Sequence, residues 1–141
     1  MREILFRGKR TDNGEWVTGT PFIYADRCKM IQAVAVHPDF VDEGNVYYSE
    51  GFPVDTKTVG QFTGLTDKNG TKIFEGDIVE HHIQGDILVN RGVVNWDEES
   101  ARWAYQLNTM NPCFALYNPN AFEVIGNIHD NPELIGGNDN A

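Results

Sequence analysis

With 141 residues, 40% of them apolar and 11% aromatic, the chain has the size of one ordinary domain and enough apolar material to bury a core without disulfides or metals. Its 21 acidic against 11 basic residues give a formal charge of −10, which sits on a folded surface and weighs against general affinity for phosphate backbones. No apolar run approaches the roughly 20 residues of a membrane span, and the opening Arg2-Glu3-Ile4-Leu5-Phe6 is not a signal peptide, so the expectation is a cytoplasmic location, no membrane partner, and Cys28 and Cys113 reduced rather than paired.

In chain order, Ile4 to Phe6 is a short apolar run, Thr11-Asp12-Asn13-Gly14 is a turn, and Trp16-Val17 leads through Gly19 to Pro21-Phe22-Ile23-Tyr24, which predicts an N-terminal β-hairpin. The only local excess of positive charge along the chain is Arg2, Arg7, Lys9 and Arg10, too short and too soon followed by Asp12 and Glu15 to be a basic arm. Lys29 to Val36 is rich in β-branched residues and ends at His37-Pro38, so it reads as a strand; Val46-Tyr47-Tyr48 can pair with it across the loop from Asp39 to Gly44. Val59 to Leu65 and Ile73-Phe74 flank Asp67-Lys68-Asn69-Gly70, whose Asn-Gly pair supplies the positive φ of a tight hairpin turn. Glu75-Gly76-Asp77 turns the chain again into Ile78 to Ile83.

Ile87 to Trp96 predicts a long strand bent at Gly92, and Asp97-Glu98-Glu99-Ser100 a polar turn. Arg102 to Leu107 alternates, with Trp103, Tyr105 and Leu107 on one face, as a half-buried strand does. Asn108 to Asn120 reads as a long loop, Phe122 to Ile128 as the last strand, Asn131-Pro132-Glu133 as one helical turn, and 136–141 as a flexible tail. The fold class is mainly β. By pattern, residues 74–128 suggest a small SH3-like barrel carrying a hairpin-rich N-terminal extension, with sub-modules at 1–57 and 58–135 of a single domain spanning 1–141.

Thr58 to Val79, with Val59-Gly60-Gln61-Phe62-Thr63-Gly64-Leu65, Asp67-Lys68-Asn69-Gly70 and Phe74-Glu75-Gly76-Asp77-Ile78-Val79, resembles the YopX family of bacteriophage and prophage proteins. Phe6-Arg7-Gly8-Lys9 with Gly14-Glu15-Trp16-Val17-Thr18-Gly19 resembles that family's opening, and Val124-Ile125-Gly126-Asn127-Ile128 with Asn131-Pro132-Glu133-Leu134 its closing motif. The resemblance implies a phage or prophage origin and an architecture; it carries no reaction.

Residues that bear chemistry are scattered. His81 and His82, with His37 and His129, are the first place to look for a metal, but neighbours on a strand point to opposite faces, so His81 and His82 do not share an ion, and the expectation is no metal and no cofactor. Glu75 and Asp77, with Asp55 or Glu80 as a third carboxylate, are acid–base candidates, yet carboxylates beside Gly76 are what a turn requires. No Gly-rich phosphate loop, nucleophile elbow or His-Glu-x-x-His pair occurs. The aromatic residues exceed what a minimal core needs, and aromatics near polar loops serve as anchors of binding surfaces. The candidate surface is Trp16, Trp96 and Trp103 with the acidic turn Asp97, Glu98 and Glu99. The leading expectation is therefore a non-enzymatic protein that binds a phage or host protein and self-associates through β edges. A nucleic-acid-binding barrel stands second and a hydrolase built on Glu75, Asp77 and His81 third.

Overall fold

A computed structural model describes residues 3–34, 47–48, 51–107, 113–116 and 118–135. The expected tail, the loop from Asp39 to Gly44, and the residues His37 and Tyr117 lie outside these. The chain divides into two compact units, Ile4–Gln61 and Phe62–Ala141 with Met1–Glu3.

The first unit is an antiparallel sheet whose strands run in the order β6 (Phe52–Val54), β3 (Arg27–Ile31), β2 (Trp16–Tyr24), β1 (Phe6–Lys9). Gly60 and Gln61, the first residues of β7 (Gly60–Thr66), pair with Arg7 and Phe6. The expected N-terminal hairpin is β1–β2, with Lys9 opposite Trp16 and Gly14 at φ 75° in its turn. Period-two alternation gives the sheet one apolar side. Cys28, Met30 and Val54 are buried there, packed by Phe6, Val17 and Val59. Asp55 caps a 3₁₀ turn at Thr56–Thr58, and the Thr58 hydroxyl accepts from the Lys9 N–H at 2.8 Å, which fixes that turn to β1. The segment expected as one strand from Lys29 to Val36 is divided: its first part belongs to β3, which pairs with β2 and β6, and only β4 (Ala33–Val34) pairs antiparallel with β5 (Tyr47–Tyr48), as expected of the Tyr47-Tyr48 run.

The second unit is a five-stranded antiparallel sheet in the order β12 (Cys113–Ala115), β11 (Arg102–Gln106), β10 (Ile87–Asp97), β9 (Asp77–Ile83), β13 (Phe122–Asn127). The central hairpin, β7 with β8 (Lys72–Phe74), turns through Gly70 at φ 83° and sends Ile73 into the core. That core is Ile73, Val79, Val94, Tyr105, Leu116 and Phe122. Burying Phe122 alone is worth about 2–3 kcal/mol. β10 runs unbroken through Gly92, which is required for close approach rather than for a bend: a Cβ there would sit 2.7 Å from the Gln106 carbonyl oxygen. The irregularity in β10 lies instead between Leu88 and Asn90.

Two further expectations are corrected. The sheet is open, with β12 and β13 as its edges, rather than closed into an SH3-like barrel. The outer edge of β13 is already occupied: the Val124 N–H donates to Asp67 Oδ2 at 2.9 Å and the Lys68 N–H to the Phe122 carbonyl at 3.0 Å, so it has no vacancy for a closing strand. Within the segment read as one long loop, Cys113–Ala115 forms β12, because Tyr105 offers Phe114 a cross-strand aromatic partner at 5.7 Å. Among the described residues there is no α-helix. The expected C-terminal turn is the 3₁₀ segment Pro132–Ile135, and Asn131 turns its side chain back to accept from the Asn127 N–H.

Candidate binding surface

Trp96 and Trp103 face each other across β10 and β11, their rings 5.2 Å apart and edge to face. Alternation puts them on the same side as Val94 and Tyr105, at the end of the core, where Trp103 packs on the core and Trp96 keeps 44% of its surface exposed. Trp103 also lines a cavity of about 430 Å³, together with Thr63, Gly64, Leu65, Arg102, Ala115 and Leu116. Asp97, one residue on, pairs with Arg102 at 3.4 Å, while Glu98 and Glu99 are exposed in the turn. The structure thus brings together five of the six residues singled out from sequence. Trp16 belongs to the other unit, half-buried at the start of β2 with the Arg7 guanidinium 4.8 Å above its ring.

The hydrolase constellation does not converge. Asp77 is 1% exposed and accepts from the Phe74 N–H at 2.7 Å, which is the turn role. His81 stacks on Phe122 at 4.8 Å and shares a hydrogen bond with the Tyr105 hydroxyl, about 13 Å along β9 from Asp77.

On the opposite side of the same sheet lies a charged cluster that sequence reading missed. Glu123, Glu80 and Arg91 stand in a row across β13, β9 and β10, with His82 two residues after Glu80 on the same face. Lys68 Nζ lies 2.9 Å from His82 Nδ1 and so donates to it, leaving the ring proton on Nε2, which donates to Glu80 Oε1 at 3.2 Å. Arg91 donates to Glu80 Oε2 and to the Leu134 carbonyl. The Arg91 hydrogen bond, aided by that from His82 and opposed by burial, holds the Glu80 carboxyl below the usual carboxylate range. Glu80, His82 and Glu123 place ligand-type atoms within 4.8 Å of one another. The donor set fits a metal poorly. A metal on Nε2 needs the proton on Nδ1, where the Lys68 ammonium stands, and Lys68 and Arg91 already balance the two carboxylates. The readable signal was Glu80-x-His82, since two-residue spacing on a strand puts both on one face.

Fold and surface together define a two-unit antiparallel β protein with an aromatic, acid-rimmed surface and, among the described residues, no convergent acid–base or nucleophile set. The chain belongs to the YopX protein family, whose model matches residues 5–136. It is similar to the crystal structure of protein EF1440 from Enterococcus faecalis, at 25% sequence identity over 96% of this chain and 99% of that one, with a TM-score of 0.60. No curated protein matches it.

Proposed function

We propose that this is a phage or prophage accessory protein that acts in the host cytoplasm by binding another protein, at the end of the five-stranded sheet where Trp96, Trp103 and the turn from Asp97 to Glu99 meet. The observation that carries the reading is the Trp96–Trp103 pair, of which Trp103 lines an apolar cavity of about 430 Å³. An exposed tryptophan packed on one that lines a pocket is the composition of an interface anchor, and the exposed Glu98 and Glu99 steer a basic partner toward it. A second copy would add at β12, since the β13 edge is covered by Asp67 and Lys68.

The test is affinity capture from host lysate with and without nuclease, repeated with Trp96→Ala and with Glu98→Lys/Glu99→Lys. The expected result is a nuclease-resistant protein retained by the wild type and lost from both variants. Capture of nothing nuclease-resistant, or equal capture by the variants, overturns the reading.

A further inference from the structure

The strands β1, β2, β3 and β6 contain four basic residues and no acidic one. Their register places all four cations on one face. Arg7 lies opposite Thr18 and Lys9 opposite Trp16, while Lys29 lies opposite Phe22 and Arg27 opposite Tyr24, all at the positions that alternate with the buried Gly8, Cys28 and Met30. The same face carries three aromatic rings. Phe22 and Tyr24 are 61% and 73% exposed, and Trp16 lies under the Arg7 guanidinium. Phe22, Tyr24, Arg27 and Lys29 also line a cavity of about 290 Å³.

We propose that this face of the N-terminal sheet binds single-stranded nucleic acid, a site separate from the protein-binding surface and independent of it. Along β2 the rings of Phe22 and Tyr24 recur every second residue, about 7 Å apart, and each has a cation directly across the strand pair. The surface therefore repeats one ring and one cation, and a nucleotide strand repeats one base and one phosphate. An acidic peptide would satisfy the cations but offers no flat face to cover Phe22 and Tyr24, and a duplex keeps its base faces stacked inside. The net charge of −10 does not decide the matter, because at physiological salt a charge is screened beyond about 8 Å and a bound strand responds chiefly to the face it lies on. The acids next to these strands are Glu15, before β2, Asp26, in the turn between β2 and β3, and Asp55, directly after β6, which lines a cavity with Arg27 and Lys29 and accepts from the Lys57 N–H; none is a strand position of this sheet, and the cations outnumber them.

The test is fluorescence anisotropy of the full chain with labelled oligo-dT and oligo-U of about 12 nucleotides. Four cations on a single strand predict a slope of log K against log salt of about −2 to −3, so affinity falls roughly 20- to 50-fold between 50 and 200 mM salt. Phe22→Ala and Tyr24→Ala each weaken binding by roughly five- to a hundredfold, as loss of one stacked base does. Arg27→Ala/Lys29→Ala weakens it and lowers the salt slope by about 1.4. These side chains are exposed, so each variant keeps the wild-type circular dichroism spectrum and thermal midpoint. The proposal is overturned by no anisotropy change at about 100 μM protein in low salt, by wild-type affinity in the ring and cation variants, by duplex binding as tight as single-strand binding, or by displacement with poly-glutamate as readily as with unlabelled oligonucleotide.

Discussion

Replacing Asp67 by alanine removes the side chain that ties the central turn to the edge of the five-stranded sheet. Asp67 is 3% exposed; its Oδ1 accepts from the Asn69 and Thr71 N–H groups at 2.8 and 2.9 Å and its Oδ2 from the Val124 N–H, 57 residues away. A hydrogen bond to a charged group is worth about 1.5–3 kcal/mol, and the three share one carboxylate, so the expected loss for Asp67→Ala is roughly 3–5 kcal/mol rather than their sum. That is a large fraction of the 5–15 kcal/mol typical of a domain. Asp67→Asn keeps an oxygen for the two turn amides but sets an NH₂ against the Val124 N–H, so its loss is smaller, about 2 kcal/mol. Urea unfolding followed by fluorescence of Trp96 and Trp103 measures the first quantity, and hydrogen exchange at the Val124 amide reports the lost clip directly. The reasoning is refuted if Asp67→Ala stays within about 1 kcal/mol of wild type, or if Asp67→Asn is the worse of the two.

Gly92→Ala drives a Cβ to 2.7 Å from the Gln106 carbonyl oxygen and 2.9 Å from its carbon, backbone atoms that move only with the β10–β11 pairing; the expected cost is about 1–3 kcal/mol by urea titration. Because the Glu80 carboxyl is held below the usual range by Arg91, its contribution to stability is complete above the unfolded-state value near 4.3 and is lost as pH falls through the lower folded-state value, so Glu80→Gln flattens the acid side of a stability–pH curve. With Lys68 and Arg91 balancing Glu80 and Glu123, EDTA and added zinc are each expected to leave the thermal midpoint unmoved; a rise with zinc that Glu123→Gln abolishes would contradict the assignment.

The sequence by itself determined what is decided within a few residues. Asn13-Gly14 and Asn69-Gly70 announce turns whose glycines sit at φ 75° and 83°, because only a residue free of Cβ strain takes that conformation cheaply, and the flanking alternation makes each a hairpin. Trp103 and Tyr105 share a face for the same short-range reason, so the Trp96 to Trp103 end of the candidate surface was legible as a hairpin with an acidic tip. Tertiary structure decided the rest. A period of two fixes which side chains share a face of one strand but not which strand lies next to it, and the pairing of β13 with β9, Phe122 opposite His81, joins residues about forty apart. That pairing assembles the cluster of Lys68, Glu80, His82, Arg91 and Glu123. The clip from Asp67 to Val124 likewise leaves the sheet open where strand count alone suggested a barrel. The basic face of the N-terminal unit has the same origin: Arg7 and Lys9 lie some twenty residues from Arg27 and Lys29 in the chain, and only the register of β1 and β3 against β2 puts the four cations and the aromatic rings on one surface.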